Sequence, residues 1–205
     1  MKKGKLITFE GIEGSGKTTQ LTLLSTKLKR EGVKVVETKE PGGTKLGAKI
    51  RELLLEGDLS EIDPKAELLL FLADRREHLR SVILPALSQG AIVLSDRFID
   101  STIAYQGYGR GLALELVTKA LILFDEDITP DLTLLFDLLP ETSLARVSSE
   151  ATKSFEKEPL AFHKRVREGY LELAKRYPER IKIIPGDLPV EEVAKRVEKE
   201  VRKIL

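Results

Sequence analysis

Short apolar runs alternate with longer amphipathic stretches along this chain. Runs at 5–10, 33–38, 91–95, 131–137 and 181–184 are rich in Leu, Ile, Val and Phe and four to seven residues long. That length and composition predict buried strands. The stretch 17–30 places Leu21, Leu24 and Leu28 on one helical face, and Gly32 beyond it suits a left-handed C-terminal cap. Asp63-Pro64 supplies an N-cap and a first-turn proline for a helix running towards Gly90, with a kink expected at Pro85. Pro189 opens a last helix, on which Val190, Val193, Ala194, Val197, Val201 and Ile204 form a stripe. Strands separated by helices make right-handed βαβ crossovers. The expectation is α/β: a three-layer, doubly wound sandwich around a mostly parallel five-stranded sheet. Ligands of such sheets bind beyond the carboxyl ends of the strands. With 205 residues and no internal repeat, a single domain over 1–205 is expected. The least apolar stretch, 148–154, reads as a mobile loop.

The first strand-to-helix turn carries chemistry. Gly11-Ile12-Glu13-Gly14-Ser15-Gly16-Lys17-Thr18 matches G-x-x-x-x-G-K-[ST] at every fixed position, between a predicted strand and a predicted helix. Glycines let the backbone curl so that N–H groups point at phosphate oxygens, and the helix N-terminus adds a favourable dipole. Lys17 reaches the β- and γ-phosphates, and the Thr18 hydroxyl is suited to Mg²⁺. The sandwich is therefore expected to be a P-loop NTPase, with ATP held by residues 11–18 and Thr19.

Composition narrows the class. A net charge of +1 offers no basic field for nucleic acid. No apolar run approaches the ~20 residues of a membrane span, and Met1-Lys2-Lys3-Gly4 lacks the apolar core of a signal peptide. Without cysteine there is no disulfide framework, and two histidines are too few for a cluster. A cytoplasmic enzyme fits. One third of the residues are charged, Asn and Cys are absent, and Gln occurs three times and Met once, which is a thermophile bias. Without Asn there is no N-K-x-D, which argues against a GTPase that reads guanine in the usual way.

Four segments beyond the P-loop core carry a more specific pattern. The P-loop with its flanks reads Phe9-Glu10-Gly11 to Thr18-Thr19-Gln20. Glu40-Pro41-Gly42-Gly43-Thr44 is followed by Arg51. Phe71-Leu72-Ala73-Asp74-Arg75-Arg76-Glu77-His78 lies in the long helix. Asp96-Arg97-Phe98 precedes Ser101-Thr102-Ile103-Ala104-Tyr105-Gln106-Gly107. In this order and combination they resemble the thymidylate kinases (dTMP kinases), over nearly the whole chain, and 162–173 resembles that family's helix after the lid. The resemblance implies ATP + dTMP → ADP + dTDP with Mg²⁺, in dTTP synthesis, by a homodimer. It implies that Arg97 and Arg51 hold the acceptor phosphate, Phe71 stacks on thymine and Arg75 reads its O4. Thr102 and Gln106 would contact the base, Ser101 would join them, and Tyr105 would crowd the 2′ position. Pro41-Gly42-Gly43 would shape the pocket and can include a cis peptide.

Residue chemistry is compatible with each role and with plainer ones. Asp96 and Arg97 follow a buried strand beside the P-loop, where a carboxylate suits Mg²⁺ or its water and a guanidinium suits a phosphate, or the two form a surface pair. Phe71 and Arg75 share a helical face, and on their own would read as core and salt bridge. Ser101 would read as a helix cap. His78 and His163 read as structural.

One segment departs from the pattern. Phosphoryl transfer needs positive charge on the migrating group. The P-loop carries Gly14-Ser15 where some relatives place a base, which points to the lid near 146–157. There Thr152-Lys153-Ser154-Phe155-Glu156 lacks the expected arginine. Lys153 is the candidate substitute, with Arg146, Lys164, Arg165 and Arg167 nearby. Other readings left open are a kinase for another nucleoside monophosphate and a nucleotide-binding protein that does not transfer phosphate.

Overall fold

A computed structural model of the chain describes residues 4–56, 62–124, 128–146 and 154–205. Five strands form one parallel sheet in the order β2-β3-β1-β4-β5. They are β1 (Lys5–Glu10), β2 (Val35–Lys39), β3 (Ile92–Asp96), β4 (Leu132–Asp137) and β5 (Ile181–Pro185). Each lies within two residues of its predicted run.

Alternation along β1 assigns the two faces. Ile7 and Phe9 pack with Leu21, Leu24 and Leu28 of α1 (Lys17–Arg30) and Val193, Val197 and Val201 of α9 (Val190–Arg202). The stripe predicted for the last helix is thus buried at its centre, whereas Val190 is exposed. On the opposite face Leu6 meets the helical run after α3 (Pro64–His78), and Thr8 bonds Thr133 at 2.8 Å. A second core on that side joins α2 (Lys45–Glu56) to α8 (Leu160–Arg176). The remaining helices are α4 (Leu84–Ser88), α5 (Ile99–Thr102), α6 (Leu114–Phe124) and α7 (Pro140–Arg146).

Helix punctuation follows local chemistry. Gly32 is at φ 79, and the Val33 N–H returns to the Leu28 carbonyl, a Schellman cap on α1. The Asp63 carboxylate accepts from the Lys65 and Ala66 amides at the start of α3. The irregularity expected at Pro85 lies one turn earlier. Residues Leu79–Ile83 form a π-helical turn, in which the Leu84 N–H reaches Leu79 O. Proline has no N–H and crowds the carbonyl four residues back, and widening the preceding turn relieves both. A second π-helical turn, Ile103–Gly109, continues α5.

Among the described residues no helix is long and apolar enough to cross a membrane. Since β1 connects outwards to β2 on one side and β4 lies on the other, the sheet reverses its winding between β1 and β3. That point is where a doubly wound sheet opens a crevice. The loop 11–16 leaves β1 there, and Arg97 leaves β3, with Phe9 and Asp96 in register.

Candidate active site

The turn after β1 curls through three glycines at positive φ, Gly11 (135), Gly14 (72) and Gly16 (96). At Gly11 a Cβ would come within 2.5 Å of the Phe136 carbonyl, so the residue is fixed by close approach as well as by φ. Lys17, at the first turn of α1, folds back over the loop and donates to the Ile12 carbonyl at 2.8 Å. Burial, and then the nearby Arg97 charge, lower its ammonium pKa to about 8. Thr18 and Thr19 are exposed, and the Thr18 hydroxyl donates to Asp96 Oδ2 at 2.6 Å. One hydroxyl and one carboxylate oxygen thus meet at the mouth of the loop. This is the hard-oxygen pair a magnesium ion takes when nucleotide and water supply its other ligands.

A cleft opens beside the loop, on the far side of Arg97. Its walls include Arg51 of α2, Phe71 and Arg75 of α3, Arg97, and Ser101, Thr102, Tyr105 and Gln106 after β3. All the side chains assigned to the acceptor by resemblance therefore share one cavity. Lys153 lies outside the described residues, as does most of the stretch expected to form the lid.

Arg97 is the hub. It is the one described non-glycine residue at positive φ, at 74, which costs on the order of 1–2 kcal/mol for an L-residue. Its Nη1 donates to Gly11 O at 2.9 Å, and to Ser101 Oγ and Tyr170 OH at 3.2 Å each. Its Nη2 donates to Glu13 and to the Tyr105 hydroxyl. Burial alone would raise the Glu13 carboxyl pKa, but Arg97 and then Lys17 outweigh it and hold the group at about 2. The backbone of Glu13 belongs to the P-loop, while the residue also lines the cleft. Ile12 contributes a backbone carbonyl to Lys17 and buries its side chain in the core.

The wall of the cleft that carries Arg75 is stiffened by buried ion pairs. Arg75 is 2 % exposed, donates from Nε to Glu40 at 2.7 Å, and lies over the Phe98 ring. The other Glu40 oxygen meets His78 Nδ1 at 2.8 Å, and His78 Nε2 meets Thr38. Burial opposes ionisation of Glu40, yet Arg75 and His78 lower its pKa. His78 is therefore structural, as its sequence context suggested. The Glu40-Pro41 peptide is cis. Gly43 lies flat against His78, where a Cβ would come within 2.6 Å of Nε2. Gln106 donates to the buried Glu67 at 2.9 Å, which also takes Arg110. The Thr102 hydroxyl is buried and, among the described residues, has no hydrogen-bond partner. Arg51 reaches across to Pro41 O at 2.9 Å, and burial and the nearby Arg97 lower its pKa.

The plainer reading of Ser101 does not hold, and the setting of Phe71 is now defined. Ser101 does not cap a helix: Phe98 is the N-cap of α5, and Ser101 sits inside it, bonded to Glu10 and Tyr170. Phe71 is half-buried, tilted against Phe155 at 6.1 Å between ring centres. Phe155 and Glu156, in the 3₁₀ turn Ser154–Lys157, complete the cleft and were not assigned to it from sequence. Glu10, Glu40, Glu67 and Tyr170 were also missed. For Glu10 the available signal was an acidic residue closing an apolar run, as at Phe9-Glu10-Gly11, and Tyr170 carried none.

The family model described as thymidylate kinase matches residues 9–197. A thymidylate kinase of Shouchella clausii is 47% identical over 208 residues, covering 100% of this chain and 98% of the relative. One from a Synechococcus strain is 52% identical over 190 residues, covering 92% and 91%. The crystal structure of thymidylate kinase from Ehrlichia chaffeensis superposes with a TM-score of 0.79 at 40% identity, covering 98% of this chain and 99% of that one. P-loop, cleft and whole-length similarity converge: this chain belongs to the thymidylate kinase family.

Proposed function

We propose that the crevice between β1 and β3 divides the family reaction, ATP + dTMP → ADP + dTDP, between the P-loop and the cleft. The observation that carries this division is Arg97, which borders the P-loop through Gly11 O and faces the cavity lined by Phe71, Thr102 and Gln106. The loop amides and Lys17 hold the triphosphate, and Lys17 exchanges its contact with Ile12 O for phosphate oxygens. Thr18 and Asp96 are suited to hold Mg²⁺, which when bound neutralises phosphate charge. Arg97 and Arg51 take the acceptor phosphate. That phosphate already carries its nucleophilic oxygen, so no strong base is required, and catalysis is positioning plus charge neutralisation.

On the base side, Phe71 offers a ring face and Arg75 a rigid guanidinium. The unpartnered Thr102 hydroxyl is a buried polar group that a base edge would satisfy. Lys153 remains the sequence-based candidate for charge from the lid. Our reading also places the enzyme in the cytoplasm as a homodimer. In support of the dimer, α3 and α6 pack through Leu68, Leu72, Val117 and Leu121 while leaving Leu69, Ile122 and Leu123 more than half exposed.

A coupled ADP-release assay with a panel of monophosphates tests the acceptor. dTMP should react fastest. dUMP lacks only a methyl, worth ~1–3 kcal/mol, so it should be slower by roughly 10- to 200-fold and still active. Faster turnover of AMP, GMP or CMP would overturn the assignment.

A further inference from the structure

Glu10 is a fully buried carboxylate that the phosphoryl-transfer scheme above leaves without a task. It is the last residue of β1, directly before Gly11. One of its oxygens accepts the Phe98 N–H at 2.7 Å, which fixes the peptide that follows Arg97. The other accepts from Ser101 Oγ at 2.5 Å and Tyr170 OH at 2.9 Å. Those two hydroxyl oxygens are the ones that receive Arg97 Nη1. A carboxylate that draws both hydroxyl protons towards itself leaves their lone pairs facing the guanidinium.

We propose that Glu10 is a positioning residue for Arg97, acting through the hydroxyls of Ser101 and Tyr170. The device spans four elements, since Glu10 ends β1, Arg97 follows β3, Ser101 lies in α5 and Tyr170 in α8. It fixes a long side chain on a strained backbone from a second side, in addition to the direct ion pair with Glu13. The inference rests on reading Arg97 as the acceptor-phosphate ligand.

The charge state of Glu10 belongs to the same argument. Burial and then Asp100 raise its pKa to about 7, against the Ser101 bond and the Arg97 charge. The charged groups facing it are Asp100 and Arg97 around β3, Arg180 before β5, and Lys17 on α1. Arg180 is committed to Asp100 by two hydrogen bonds. Protonated Glu10 must donate to one hydroxyl, which then turns its own proton to the other, 2.7 Å away, so that each hydroxyl oxygen takes a second donor besides Arg97 and the charge that attracts the guanidinium is gone. The Arg97 clamp should therefore weaken as pH falls through neutrality.

Three variants test this. Tyr170→Phe should lower kcat/KM for dTMP about tenfold, a 1.4 kcal/mol effect on the transition state, with KM for ATP unchanged. Glu10→Gln should lose a pH dependence that the parent shows near neutrality. The second ionisation of the dTMP phosphate, near pH ~6, is common to both enzymes, so the ratio of their profiles isolates Glu10. That ratio, parent over variant, should rise with pH. Should Glu10→Gln fail to fold, Tyr170→Phe decides alone. Arg97→Lys, measured alongside, separates the two readings. If it leaves dTMP kinetics intact, the assignment of Arg97 is wrong. If it impairs them while Tyr170→Phe matches the parent, or loses ATP and dTMP efficiency equally, the positioning role is wrong.

Discussion

The two halves of the site are built by different means. On the side proposed for ATP a contiguous loop presents backbone amides, and its one buried cation, Lys17, rests on a carbonyl of that same loop. On the side proposed for the acceptor most polar side chains are tied to partners distant in sequence. Arg75 meets Glu40 across 35 residues, Gln106 meets Glu67 across 39, and Arg97 meets Glu13 across 84. A triphosphate looks much the same to any protein, and a curl of amides suffices to bind it. A monophosphate acceptor must be told from its relatives, which takes side chains held in fixed directions, and buried ion pairs provide that stiffness.

The largest test of the contrast removes a strut from the acceptor wall. Glu40→Ala takes from the buried Arg75 guanidinium the carboxylate that its Nε meets, and takes an acceptor from His78. Loss of one partner of a buried pair costs roughly 3–5 kcal/mol, so thermal unfolding should move down sharply even though no contact to ATP changes. Arg97→Ala comes next. Its kcat/KM for dTMP should fall by about 10²–10³, comparable to removing one preorganised transition-state donor, with the ATP dissociation constant nearly unchanged. Loss of ATP binding with dTMP binding kept would mean that the two halves are exchanged.

A smaller effect sharpens the nucleotide half. Lys153→Ala should lower kcat about tenfold, more than it raises KM for dTMP, and Lys153→Arg should keep or improve the rate. Single-turnover transfer at the parent rate by Lys153→Ala would leave Arg97 or Arg146 to supply the charge. The smallest effect is the control. Lys119 and Glu115 pair at 2.7 Å on α6, both largely exposed. Lys119→Ala should change unfolding free energy by no more than ~0.5 kcal/mol, because solvent already screens that pair.

The same contrast explains what the sequence disclosed. Strand positions and the P-loop are local patterns, and residues 5–10 and 11–18 carry theirs in one stretch. Leu21, Leu24 and Leu28 announce their shared face through spacing alone. The residues proposed for the acceptor could be named only through resemblance, because Phe71 and Arg75 by themselves look like an ordinary helix face. Their supports were not legible at all. Nothing beside Glu10 in the sequence predicts that Tyr170, 160 residues away, will donate to it. Ser101 looked like a cap because a serine near a helix start usually is one, and tertiary hydrogen bonds took it instead. Pro85 correctly marked an irregularity, but the backbone absorbed it in the turn ahead.

The end of β3 has a consequence for how the two substrates stay aligned. Asp96 and Arg97 are neighbours in the chain, and under the proposed roles one serves the metal–nucleotide side and the other the acceptor. Consecutive Cα atoms lie about 3.8 Å apart across a trans peptide, a length set by covalent bonds. The gap between donor and acceptor anchors is then a molecular ruler one peptide unit long. Breathing of the sheet, a repacked core or a shifted helix would carry both anchors together. An inserted or deleted residue between strand and turn would not, which makes this junction the least forgiving place in the chain for a change of length.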